Sequence, residues 1–113
     1  MKSVFILLIL TAMTSFAKPI AYMEEAKRVS SSIAGRVLSI EGVSSIGLTV
    51  CDYRTGHVFS DGDVYCVLVT VDDHIAVGRL AKLYKSGSRI QGINFWIQVR
   101  GASKPEPRMS GGG

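Results

Sequence analysis

Three prolines, two cysteines, two histidines and one tryptophan are all that this chain of 113 residues carries of those types, and each scarcity excludes something. Cys51 and Cys66 lack the CxxC spacing of a zinc ribbon or of a thioredoxin-like redox pair. No phosphate loop is encoded, since Ser86-Gly87-Ser88 has neither the length nor the lysine of one. Basic residues stand singly, with Lys27-Arg28 as the sole doublet, so no stripe suited to nucleic acid is expected. No apolar run approaches the roughly 20 residues that span a bilayer. There is no internal repeat, which excludes a solenoid.

The longest apolar run, residues 4–13, follows Lys2 and precedes Thr14-Ser15-Phe16-Ala17. A positive start, a short apolar centre and small residues before the cut describe a secretory signal peptide over residues 1–17, cleaved after Ala17. Its compact form points to a bacterial source, with the periplasm or the exterior as destination. No cysteine stands at the cut, so no stable membrane anchor is expected after cleavage. In an oxidising compartment the two cysteines are expected to form a disulfide rather than to hold a metal. Closing a loop of about 15 residues would stabilise the fold by about 3 kcal/mol on the chain-entropy account. Residues 18–113 suffice for one small domain, and their charge balance is mildly positive.

The chain is organised around residues 46–71, two strands folded back on each other with one cysteine in each. Ile46, Leu48 and Val50 alternate with Gly47, Thr49 and Cys51, the period of a strand with one face in a core. Residues 64–71 are apolar on both parities, which marks a central strand. Thr55-Gly56 and Asp61-Gly62-Asp63 between them form turns. In a single hairpin loop, Cys51 and Cys66 face each other across the ladder. With a short extra strand at 57–60 the register changes and the pair need not meet.

Before this hairpin, Tyr22, Ala26, Val29, Ile33, Val37 and Ile40 fall at intervals of three and four, one side of a helix within residues 20–41. Gly42 suits its end. Ser30-Ser31-Ser32 and Gly35 are poor helix formers, so this helix relies on packing its stripe on a sheet, and its small residues permit a neighbouring backbone to approach closely. After the hairpin, Asp72-Asp73 caps a second helix over residues 74–86, with Ala76, Leu80, Leu83 and Tyr84 as its stripe and Gly87 at its end. Residues 90–100 read as a third strand, in which Ile93, Phe95, Ile97 and Val99 alternate with Asn94, Trp96, Gln98 and Arg100. Residues 102–113 have nothing to bury and are expected to be a disordered tail, with glycines 111–113 resembling a cloning remnant.

The order helix-strand-strand-helix-strand gives an α+β fold, a two-layer sandwich of a three-stranded mixed sheet with two helices on one face, over residues 18–101. The third strand can pair with either hairpin strand. Within residues 26–50, Ile40-Glu41-Gly42-Val43-Ser44-Ser45-Ile46 resembles the helix-to-strand end of the small periplasmic BON domains. That resemblance rests on one G-V-x-x-I turn, the unit is not repeated as it is in those proteins, and no function follows from it.

Catalytic groups are sparse. A disulfide would remove the thiolate chemistry of Cys51 and Cys66. His57 and His74 stand beside acidic residues, with nothing to fix the geometry a general base requires. Asp61-Gly62-Asp63 lacks the ligand series of a calcium loop. No cofactor or metal is expected, and no nucleic acid. What remains is surface: if the helices cover the face holding Phe95, then Trp96, Asn94, Gln98 and Arg100 stand on the other, with the composition of an interface core. The expected role is a secreted, non-catalytic module that binds a protein partner or itself through that face or an edge strand, as an inhibitor, assembly factor or homo-oligomer. The alternatives are a small envelope hydrolase or metal-dependent enzyme using loop 54–63 with His57, Asp61 and Asp63, and a structural subunit of an envelope assembly.

Overall fold

The computed structural model describes residues 20–54 and 62–108. The signal peptide expected at 1–17, the extra strand considered at 57–60, His57, Asp61 and glycines 111–113 lie outside the described residues. Helix α1 spans Met23–Leu38, strand β1 Val43–Cys51, strand β2 Val64–Val71, helix α2 His74–Ala81, strand β3 Arg89–Ile90 and strand β4 Ile93–Val99. The strands lie in the order β1-β2-β4-β3. β2 is antiparallel to β1 and parallel to β4, while β3 is antiparallel to β4. This is an α+β sandwich with a mixed sheet, of four strands where three were expected.

The added strand is β3. It arises because the chain reverses at Gln91-Gly92, where both residues are left-handed at φ 51° and 84°. Two successive left-handed residues match the strand twist in a two-residue hairpin, and glycine takes the second place without a Cβ clash. Only two residues precede the turn, too few to show a strand period. The third strand expected at 90–100 is therefore β4 alone.

Both helices lie on one face. Ala26, Val29, Ile33 and Val37 of α1 and Ala76, Val77 and Leu80 of α2 form a single core with Val67, Val69 and Val71 of β2 and Ile93, Phe95 and Ile97 of β4. Burial of each such aliphatic side chain is worth about 1.5–3 kcal/mol, and this packing carries α1 despite its serines and glycine. Tyr22, at the start of its expected stripe, departs from it, exposed and left-handed at φ 69°, whereas Ile40, past the end of the helix, still packs against the core. Gly42 has φ 93°, and a Cβ there would come within 2.7 Å of the Ala76 side chain, so glycine both turns the chain and lets α2 approach.

β1 begins earlier than its alternation suggests, at Val43, because one extra residue enters between Val43 and Ser45. Such a bulge changes the parity. Val43 therefore packs on the same core as Ile46 and Leu48, although it is odd in number and they are even.

α2 is shorter than the stretch to residue 86 that the stripe implies. It ends at Ala81, Leu83 is exposed, and Tyr84 turns back onto the Phe95 ring at 5.7 Å between centroids. The early end frees residues 86–88 to bond β4: the Gly87 N–H donates to the Phe95 carbonyl, and the Phe95 N–H to the Ser88 carbonyl. At the other end Asp73 is the cap, its carboxylate accepting from the Ala76 N–H at 3.0 Å. Asp73→Ala should lower stability by about 1 kcal/mol and Asp73→Ser by much less. Denaturant unfolding checks this, and equal losses in the two variants would show that the cap bond is idle.

The disordered tail expected over residues 102–113 needs correction over its described part, residues 102–108. Residues 102–108 fold back along the sheet: the Glu106 N–H donates to the Ile97 carbonyl at 2.7 Å, and the Glu106 carbonyl accepts from the Ser86 hydroxyl. His74 Nδ1 lies 3.2 Å from a Glu106 carboxylate oxygen. Composition shows little side chain to bury here, but it is blind to backbone pairing.

Candidate functional site

The residues expected to form an open binding face do not form one. Trp96 does point away from Phe95 and the helices, yet it is only 6% exposed. It packs with Cys51, Val64 and Cys66, and with Leu68 at the margin, in a second small core. Asn94 is buried as well, its Oδ1 accepting from Arg89 Nε at 3.1 Å. Arg89 then donates from Nη2 to the Tyr53 carbonyl at 3.0 Å, and its guanidinium lies 4.5 Å from the centre of the Tyr53 ring. Tyr53 follows β1 and Arg89 belongs to β3, so this clasp joins the two outer strands of the sheet. Alternation gives the side of a sheet on which a residue stands, and cannot show what else reaches that side.

Gln98 is half-buried and donates to the Ala102 carbonyl at 2.9 Å. Arg100 is exposed, and its Nη2 donates to the Ser44 hydroxyl at 3.0 Å while standing 3.7 Å from Asp72. Ser44, the residue inserted by the bulge, donates in turn to Asp72 at 2.5 Å. This network ties the start of β1 to the ends of β2 and β4. As an exposed charge pair it is worth little, about 0–1 kcal/mol.

Cys51 and Cys66 form the disulfide. They are not directly opposite, as the single-loop reading had them: Cys51 pairs with Val64 and Cys66 with Thr49. The offset is two residues, so both side chains stay on the Trp96 side, and the Cα separation of 6.1 Å is within bridging range. Among the described residues no cysteine is free. Asp63 of the proposed loop enzyme accepts from the Tyr53 N–H at 2.9 Å, a bond that holds the two ends of the loop together. Among the described residues no group of three or more His, Cys, Asp or Glu could hold a metal ion.

The two edges of the sheet differ sharply. On the far side, the outer edge of β4 is used along its length by β3, by residues 86–88, by the Ser86 hydroxyl that accepts from the Ile97 N–H, and by Glu106. On the near side, β1 offers nine residues, Val43–Cys51, whose outer edge pairs with no strand among the described residues. β1 contains neither a charged residue nor a proline. Those are two of the usual devices that keep an edge from pairing, and β1 has instead the bulge at its first residues. Ser45 and Gly47 are exposed in its middle. The signal was present in the sequence as an uncharged strand, but which strand lies outermost depends on where β4 pairs.

No helix among the described residues is long and apolar enough to cross a membrane. No family model, no curated protein and no solved structure matches this chain.

Proposed function

We propose that the protein is a secreted, non-catalytic binding module that takes up an extended strand on the outer edge of β1. The observation that supports it most is the uncharged nine-residue edge that pairs with no strand among the described residues, where the outer edge of β4 on the far side is occupied along its length. Strand addition draws its affinity from main-chain hydrogen bonds, so it needs an ordered edge more than a deep pocket. The disulfide at the last residue of β1 and the Ser44–Asp72–Arg100 network at its start hold the edge in place from both ends. The disulfide also suits a protein of the periplasm or exterior.

A photo-crosslinking residue at position 47 tests this in the native envelope. A Cβ at Gly47 meets nothing within 4 Å, so a side chain is accommodated there. Position 47 is expected to give an adduct accompanied by slower amide exchange in β1, and exposed Lys82 on the α2 side is expected to give none. An absence of adducts at 47, or adducts with no slowing in β1, would overturn the strand-addition reading.

A further inference from the structure

Resting on that reading of β1 as the binding edge, we infer that its occupant is a second copy of this chain, paired β1 to β1 about a two-fold axis. A free edge alone names no occupant. Three features of this molecule do.

The first is closure. The outer edge of β4 is used by β3, residues 86–88 and Glu106, and β3 beyond it is only two residues long, so among the described residues β1 is the one long edge left to pair with another copy. Two copies that share this edge leave only the two-residue β3 outermost on each far side of the described sheet, too short to carry a further copy, so the assembly ends at a dimer rather than growing into a filament.

The second is the strand itself. Antiparallel self-pairing centred on Gly47, the midpoint of β1, puts residues 45–49 of the two copies in regular register, up to the bulge that follows Val43. It sets Ile46 opposite Leu48 on the helix side and Ser45 opposite Thr49 on the other. Self-pairing normally risks placing like charges opposite each other, and β1 has no charge to oppose.

The third is α1, which packs on β1 and β2. One flank of its buried stripe faces α2, as the 3.0 Å bond from Arg36 to the Tyr84 hydroxyl shows. The other flank, toward the free edge, holds Met23, Lys27, Ser30, Ala34 and Leu38 at intervals of three and four. Met23 and Leu38 are 40% and 46% exposed, large apolar side chains on the side where the edge is free. Between them Ser30 and Ala34 are small enough for a second helix to approach. The one charge on this flank, Lys27, has Glu24 at 3.9 Å.

A single axis serves both elements. α1 and β1 run back from one turn, the helix for about 24 Å and the strand for about 30 Å, so their midpoints stand roughly 12 and 15 Å from it, level to within a helical turn. A two-fold through Gly47 therefore runs the two α1 helices antiparallel, bringing Met23 of one copy toward Leu38 of the other. The strands supply main-chain bonds, and the helix flanks supply the apolar contact that an interface core needs.

The test is light scattering on the disulfide-intact protein across a dilution series. Twice the chain mass is expected at high concentration, falling to the monomer on dilution. Gly47→Lys, an edge-blocking change, and Leu38→Glu, a change on the helix flank, are each expected to weaken the dimer tenfold or more, and Leu83→Glu, exposed on the α2 side, to leave it intact. Circular dichroism at low concentration is expected to show all three folded. A wild-type monomer throughout the series, or a dimer indifferent to both Gly47→Lys and Leu38→Glu, overturns the inference. In that case adducts at position 47 to a chain of different mass, with β1 exchange slowed, would leave strand addition standing, and their absence would remove both.

Discussion

Trp96→Ala is expected to cost about 3–5 kcal/mol, a large part of the 5–15 kcal/mol that holds a domain of this size together. The indole is 6% exposed and fills the second core beside Cys51, Val64 and Cys66. Its removal leaves a cavity on the side of the sheet opposite both described helices, so neither can collapse into it. Among the described residues the buried indole Nε1 has no hydrogen-bond partner. Leaving such a donor unpaired costs about 1–3 kcal/mol, so Trp96→Phe removes a penalty together with some volume. The phenylalanine variant should therefore lose far less than the alanine variant, within about 1.5 kcal/mol. Denaturant unfolding measures both, and the emission of the native tryptophan should be blue-shifted. A loss of under about 1 kcal/mol in Trp96→Ala, the range of exposed positions, would return this face to the list of binding surfaces.

The two cores differ in how far residue patterns reveal them. The helix-side core was legible because each element advertises it alone: Ala26, Val29, Ile33 and Val37 recur at helical spacing, and Phe95 and Ile97 at strand spacing. The second core has no such signature. Trp96, Val64 and the two cysteines come from three strands, and the Arg89 clasp to Tyr53 and Asn94 joins residues up to 36 positions apart. Alternation predicts that Trp96 opposes Phe95, which is so. It then suggests an open face only because nothing in the local pattern shows that Cys51, Val64 and Cys66 pack with Trp96 or that Arg89 reaches Asn94. The tail shows the same limit in the backbone, since the bond from Glu106 to Ile97 uses no side chain that composition could weigh. The edge character of β1 became visible once β4 was found to pair with β2 on its other side.

Removing the disulfide, as Cys51→Ala with Cys66→Ala, should cost about 3 kcal/mol from the unfolded state alone. The bond closes a loop across a sequence separation of 15 and so restricts the denatured chain. Both cysteines have no exposed surface, so packing against Trp96 is lost as well. The same burial makes the bond hard to reach: mild reductant should act at a rate set by opening of the fold, and should act faster in Trp96→Ala. The functional consequence is at β1. Cys51 is its last residue, and past it residues 52–54 are tied down by the bonds of Tyr53 to Asp63 and Arg89. Without the cross-link the second half of β1 loses its one covalent tie to β2 and keeps the ladder and the Tyr53 bonds, and its amides should exchange faster than those near the Ser44–Asp72–Arg100 network. An edge that frays must be ordered again before a strand can add to it. The double variant should therefore bind more weakly at β1 even under conditions where it remains folded. If its midpoint falls by about the amount given while β1 exchange and edge binding stay at wild-type values, the disulfide stabilises the fold and does nothing to prepare the edge.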